Sequence, residues 1–415
     1  MHPEMETLRC AIVRGGTSKA VFIMMNEYPK DPAKRDAVIL AVYGSPDVRQ
    51  IDGLGGADVL TSKHAIISRS SRPDADVDYT FAQVSFESAF VDYGGNCGNI
   101  SSAVGPFAID EGLVEAVEPI TTVRIRMTNS DRILIAEVPV KGGKAMIDGD
   151  FAIDGVPGTG AKIAMDWSDV VGSITGKLMP TGNAKDTIEV DDVVGGITGK
   201  LIPTGNPKDT IETDEGKYTV SIVDAGNPVV FVHAASLNMK GTESPNEIES
   251  NKPLMETIEK IRGHAAVMCG MVEKPEDAKT ISPYVPFFFI VSPPADYKTI
   301  NGSTVKAENI DLVARGLFML KAHKAIQVSG SLCTGAAARV PGTIVGDVLR
   351  ETARTRSTIN IGHPSGTFPV EAEAETVDGQ VKIKRLRVFR TARRIMEGYV
   401  YVRKSVFKSR SIDHG

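Results

Sequence analysis

The sequence predicts an α+β fold built as two similar lobes, on three observations. Strand and helix patterns are mixed without the regular spacing of βαβ units. The chain has 415 residues, long for one hydrophobic core. Its halves share a grammar: AIVRGGTSKAVFIMMNEYP in the first and SIVDAGNPVVFVHAASLN, from Ser221, in the second both read as strand, turn, strand, and a glycine-flanked cysteine (Cys97 or Cys333) follows each. The expected division is an N-terminal lobe over residues 1–190 and a C-terminal lobe over 191–415, facing one another across a cleft. The last strand is free to return to the first lobe.

Cys10-Ala11-Ile12-Val13 is an apolar run that reads as a buried strand, and the Gly15-Gly16 turn separates it from a second strand over 20–25. Pro32 suits the first turn of a helix, where its missing N–H costs nothing, and apolar spacing carries that helix to Tyr43. Residues 79–86 and 134–140 alternate as strands do. After Asn99, the residues Ile100, Ala103, Val104, Phe107 and Ala108 fall on one helical face. Asn96 or Asn99 is the expected cap, and Pro106 is a point where the helix kinks or stops. Further helical spacing occurs at 254–268, 310–323 and 343–351. Residues 169–191 and 192–214 are two 23-residue copies that differ at four positions. They are a tandem duplication, not a solenoid, which normally needs three or more units. One copy is expected in the core and the other at the surface. The TGK in each lacks the spacing and hydroxyl of a phosphate loop, so no nucleotide site is expected there.

Composition is that of an ordinary globular protein, 42% hydrophobic and 24% charged. A net charge of -5 argues against a nucleic-acid partner and leaves room for a local pocket that takes a small anion. No run approaches the roughly 18 apolar residues of a membrane span, and the opening MHPEMETLRC lacks the regions of a signal peptide. Four sparse cysteines, none in a C-x-x-C pair, fit reduced thiols in the cytoplasm. No metal motif, dinucleotide fingerprint or nucleophile elbow occurs, so no metal or cofactor is expected. Self-association into a homo-oligomer stays open.

The most informative stretch is Asp92-Tyr93-Gly94-Gly95-Asn96-Cys97-Gly98-Asn99. It sets a thiol at an expected helix start, where free N–H groups attract anions and lower a thiol's pKa. Gly98 lets the backbone approach a ligand closely. Structural buried cysteines are common, but few sit between such small polar residues. Lys63 follows a glycine-rich run from Gly53 and precedes Ala65-Ile66-Ile67, which places it at a strand entrance. A lysine there serves as an acid or base when it lines a cleft, and faces solvent otherwise. His64 reads as structural or solvent-facing. Around Gly15-Gly16, the residues Arg14, Thr17, Ser18 and Lys19 supply N–H groups, hydroxyls and cations suited to a carboxylate. Cys333, Thr334 and Gly335 read as a second anion-binding helix start. Arg390, Arg393 and Arg394 read as a solvated face or ion pairs. Thiol and amine acid–base groups without a cofactor point to proton transfer at a carbon beside a carboxylate: isomerisation of a small unsaturated acid, or racemisation.

RGGTSK, GSPDVRQIDGLGGADVLTSK, DVDYTFAQV, GGNCGNISSAVGPFAIDEG, GKxxPTGN, AARVPGTIV and RTARRIMEGYVYV together resemble the PrpF-like 2-methylaconitate isomerase family over nearly the whole chain, and within it the methylitaconate Δ-isomerases. The resemblance implies a diaminopimelate epimerase-like fold: two lobes, each with a central helix wrapped by strands, and an active site between them. It implies Lys63 and Cys97 as the catalytic pair. It also implies carboxylate-binding loops at Arg14, Thr17, Ser18 and Lys19, at Ser62, and at Asn96, Gly98 and Asn99. Cys333 resembles the second cysteine of the epimerases. The family works without metal or organic cofactor. The implied reaction is an allylic isomerisation of a small unsaturated di- or tricarboxylate, methylitaconate to dimethylmaleate first, with aconitate and 2-methylaconitate as rivals. A racemase using Cys97 and Cys333, or an inactive carboxylate-binding protein, are the alternatives. The doubled block departs from the family pattern, which carries one such segment.

Overall fold

In the computed structural model, which describes residues 2–167, 198, 201–377 and 380–408, the chain forms two compact units. Unit 1 comprises Met1–Asn129, Ile135–Met165 and Arg390–Gly415, and unit 2 comprises Ser130–Leu134 and Asp166–Phe389. The expected boundary at 190/191 lies outside the described residues. Apart from the short excursion Ser130–Leu134, the chain passes between units at Met165/Asp166 and again at Phe389/Arg390.

In unit 1, β1 (Met5–Gly15) turns at Gly16-Thr17 into antiparallel β2 (Ser18–Met24). Strand β2 runs parallel to β3 (Lys63–Arg69), β3 antiparallel to β4 (Val77–Val84), which also pairs with β5 (Val91–Asp92), and β4 parallel to β6 (Ile120–Met127). The C-terminal strand Ala392–Arg403 pairs antiparallel with β1. Two helices use the two faces. Helix α1 (Pro32–Tyr43) is capped by Asp31, which accepts from Ala33 N, and is stopped by left-handed Gly44. Its Val38, Ile39, Val42 and Tyr43 pack with Val21, Ile23, Ile66, Ala82 and Val84. Helix α2 (Gly98–Asp110) lies against β1, β2, β3, β4 and β6. The alternation of β2 explains the division: Val21 and Ile23 join the α1 side, while Phe22 meets Phe107 of α2 with ring centroids 5.2 Å apart. The five residues expected on the apolar face of α2 are all buried, each large one adding roughly 1.5–3 kcal/mol. Neither asparagine caps α2. Its N-cap is Cys97, with no side-chain cap, and the helix continues past Pro106 to Asp110.

Unit 2 repeats the succession of pairings. The hairpin Gly216–Ala225/Asn227–His233 is antiparallel, Phe287–Ser292 joins it in parallel, Leu312–Phe318 is antiparallel to that, and Thr358–His363 is parallel again. Its helices are α3 (Pro245–Ser250), α4 (Lys252–Met268), α5 (Ala278–Ile281), α6 (Val328–Ala337) and α7 (Ile344–Val348). The helix expected over 310–323 is instead the strand Leu312–Phe318. It has strands on both sides and 312–317 are all buried, so a continuous apolar run carried no usable period. Of the duplicated block, the first copy lies outside the described residues. In the second, Leu201 is buried and Ile211 enters the core from the strand Asp209–Thr213. Among the described residues no helix is long and apolar enough to cross a membrane.

Candidate functional site

Strand pairing aligns a row of residues across unit 1. Lys63 lies opposite Ala20 on one side and Gln83 on the other, and Gln83 lies opposite Asp92. Directly paired residues share a face, so Lys63, Gln83 and Asp92 share one. Lys63 opens β3, as expected, and is 3% exposed. Its Nζ donates to Gln83 Oε1 at 2.8 Å and stands 5.4 Å from the Phe81 ring centroid, with Cys97 among the groups that act on its charge. Burial lowers the Lys63 pKa, opposed by the nearby Cys97 and Asp58. The neutral amine is thereby brought within reach.

The backbone of Lys63 is pinned from α1. The Tyr43 hydroxyl accepts from Val21 N at 3.1 Å and donates to Lys63 O, bridging β2 and β3. His64 points to the opposite face, against Tyr28 Oη at 2.6 Å, and burial pushes its pKa down to about 3. It is structural and not solvent-facing. Ser62 is fully buried, and its hydroxyl donates to Gln50 Oε1 at 2.6 Å. That hydroxyl ties the entrance of β3 to the preceding loop.

Cys97 is 7% exposed at the N-terminus of α2. Its carbonyl accepts from Ser101 N, and the N–H groups of the first helical turn carry the positive end of the helix dipole. The Gly15-Gly16 turn presses on this end. A Cβ at Gly15 would fall 2.3 Å from Asn99 O, and one at Gly16, whose φ is +50°, would fall 2.1 Å from Asn99 Oδ1. Thr17 N donates to Asn99 Oδ1 at 3.3 Å. The hydroxyls of Thr17 and Ser18 are buried with no hydrogen-bond partner among the described residues, so they can serve an anion. Arg14 braces the turn, donating to Gly16 O and Thr391 O, each at 2.9 Å. Lys19 is the second residue of β2, and its N–H donates to Leu60 O. Asn96 is 1% exposed, one residue before Cys97, and Gly98 opens the helix.

Cys333, Thr334 and Gly335 are not a helix start. Helix α6 begins at Val328 after the N-cap Gln327, and Cys333 lies in its middle, fully buried, its Sγ donating to Val223 O at 3.0 Å. Burial drives the Cys333 thiol well above its ordinary pKa. Gly105 packs on Val138 and Ala136, and Gly335 packs in the same way on Val370 and Ala372. Both glycines lie eight positions past their caps. The counterpart of Cys97 is therefore Gln327, and that of Cys333 is Ala103. Arg390 also differs from expectation. Arg394 does pair with Glu111, at 2.8 Å. Arg390 is 4% exposed with its side chain against Gly16, and burial pushes its pKa down to about 9. The sequence reading also missed Gln83, Asp92 and Gln50. Asp92 holds the start of the cysteine loop, accepting from Gly94 N at 2.7 Å, and burial raises its pKa.

Known proteins share this organisation. The chain is 50% identical to a 3-methylitaconate isomerase of Eubacterium barkeri over 95% of this chain and 97% of that protein. It is 36% identical to a 2-methyl-aconitate isomerase of Shewanella oneidensis over 97% of this chain and 99% of that one. The crystal structure of a methylitaconate-delta-isomerase superposes with a TM-score of 0.76 at 48% identity, covering 99% of both chains. A hydroxyproline epimerase from Agrobacterium vitis, 11% identical with a TM-score of 0.54 over 96% of this chain and 93% of that one, shares the fold. The family model described as PrpF protein matches residues 5–197 and 188–403, two spans that overlap within the duplicated block. On this match and these identities, the chain belongs to the PrpF family of isomerases.

Proposed function

We propose that this chain is a cofactor-independent allylic isomerase that converts methylitaconate to dimethylmaleate, with Lys63 and Cys97 moving the proton. The observation that carries the reading is a buried amine whose charge responds to a nearby thiol at a helix N-terminus. The substrate carbon that bears the methyl group is both allylic and next to a carboxylate. Lys63, held toward its neutral form by burial, takes the proton from that carbon. The electron pair left behind forms the new double bond, and the old π pair moves to the terminal methylene carbon. That carbon receives a proton from Cys97 and becomes a methyl group. A proton then passes from the ammonium to the thiolate, which restores both. Negative charge that builds on the substrate carboxylate meets the first-turn N–H groups of α2 and the hydroxyls of Thr17 and Ser18, donors fixed before reaction.

The proposal extends to the architecture, two diaminopimelate epimerase-like lobes, each with a central helix. The repeated strand pairings and the buried helices α2 and α6 support it. It extends to a cytoplasmic setting, supported by four unbridged cysteines. A tricarboxylate substrate, 2-methylaconitate or aconitate, is the second reading. It draws on Arg390, a buried cation beside Gly16 that a third carboxylate would need.

The test is proton NMR of the purified protein in D2O with methylitaconate, 2-methylaconitate and aconitate in separate tubes. The expected result is dimethylmaleate from the first tube. Turnover in one of the others alone would transfer the reading to that acid, and no turnover in any would leave a binding protein or an epimerase.

A further inference from the structure

Gln83 sits between Lys63 and Asp92 in the row of paired strands and is 1% exposed. A carboxamide has one acceptor oxygen and two donor hydrogens. Here the nitrogen end faces two carbonyls, Ser62 O at 3.0 Å and Val59 O at 3.3 Å. Flipping the amide would set its oxygen against both. The orientation is thus dictated by the backbone that leads into β3, and the oxygen is obliged to face Lys63 Nζ, 2.8 Å away. Cys97, at the start of α2, also acts on the charge of the Lys63 amine. An amine with a bond directed in this way has fewer directions in which to accept a proton.

We propose that Gln83 is a positioning residue for the proton transfer. Its carboxamide oxygen holds the Lys63 amine in register with the Cys97 thiol and helps set the balance between the charged and neutral lysine. This inference rests on the assignment of Lys63 and Cys97 as the proton-transfer pair. Of the other groups around Lys63, Asp58 lies in the preceding loop, Cys97 at the start of α2 and Asp92 on the shared strand face, and Tyr79 lies near Cys97. The Phe81 ring is the neutral wall. Arg390 packs on the Gly16 turn, and His64 faces away with Tyr28.

Two variants separate an electrostatic hold from mere packing, because both lose the donors to Ser62 and Val59 and differ in what they offer Lys63. Gln83→Glu sets a carboxylate against the amine, which favours the ammonium. Gln83→Met removes the acceptor. The activity limb that rises as Lys63 loses its proton is expected to move alkaline by about one unit or more in Gln83→Glu, and toward acid in Gln83→Met. In Gln83→Met, kcat is expected to fall by roughly tenfold to a hundredfold, with KM changed little. In protein labelled with 15N-lysine, the Nζ resonance lost in Lys63→Ala reports the same titration by NMR without requiring turnover. A Lys63 titration that stands still, or moves the same way in both variants, overturns the role of Gln83. Wild-type turnover by Lys63→Ala would overturn the underlying assignment instead, whereas an inactive Lys63→Ala with an unmoved titration sinks only the role of Gln83.

Discussion

Replacing Gly15 by alanine tests whether the Gly15-Gly16 turn must touch the start of α2 for the site to work. Gly15 is not one of the left-handed glycines of the chain, so alanine brings no backbone strain of that kind. It does bring a Cβ that would lie 2.3 Å from Asn99 O, a backbone atom that cannot rotate away. Cβ contacts below 3.0 Å essentially do not occur, so turn and helix must separate by at least about 0.7 Å. Asn99 lies two residues beyond Cys97, and the turn carries the hydroxyls of Thr17 and Ser18. A displacement near 1 Å at a reacting centre costs about a hundredfold in rate, which sets the expected loss in kcat/KM for Gly15→Ala. The control is Gly142→Ala. Its φ is +63° and nothing lies within 4 Å of the added methyl. It is expected to lose about 1 kcal/mol of stability and to keep its turnover. Steady-state formation of dimethylmaleate reads the first effect and a circular-dichroism melt reads the second. Full kcat/KM in Gly15→Ala would refute the need for the contact.

Tyr43→Phe removes the bridge between Val21 N and Lys63 O and leaves two buried backbone groups without it. The expected cost is about 2–4 kcal/mol, seen as a lower Tm, and an unchanged Tm would contradict the bridge. Cys333→Ala should turn over within about threefold of wild type, since its thiol is buried in the middle of α6 and donates to the Val223 carbonyl. A loss as severe as that of a catalytic-residue knockout would revive the two-cysteine racemase. His64 stays neutral down to a pKa of about 3, while the unfolded chain protonates its histidine near 6.5. The unfolded state alone takes up that proton, so stability is full above about pH 6.5 and falls as pH drops toward 3. The Tm should therefore decline on acidification less steeply in His64→Gln than in wild type, and equal slopes would argue against a buried neutral histidine.

Much of unit 1 was legible in the sequence because local signals agreed there with tertiary need. Pro32 and Gly44 bracket α1, the period of α2 matches its buried face, and glycine before Lys63 marks the close wrap of its loop. The place of Cys97 at a helix start was readable because the apolar period of α2 begins just after it. The failures have physical causes. The strand Leu312–Phe318 is buried between strands, so its apolar run imitated a helix. Cys333 borrowed the look of Cys97 from flanking glycines, but α6 starts five residues earlier at Val328, and its N-cap Gln327 carries no cap signal. Arg390 is buried by the β1 turn, 374 residues away in sequence, and nothing beside it foretells that. Gln83 matters because β3 and β4 pair in one register, a long-range fact that strand alternation alone does not contain.

The most direct measurement is the turnover of methylitaconate by Lys63→Ala and Cys97→Ala, each confirmed to melt like the wild type. With both side chains engaged in one proton transfer, dimethylmaleate should be undetectable by NMR from either variant under conditions in which the wild type reaches equilibrium. Equilibrium reached at the wild-type rate by either one would show that the proton moves without that residue.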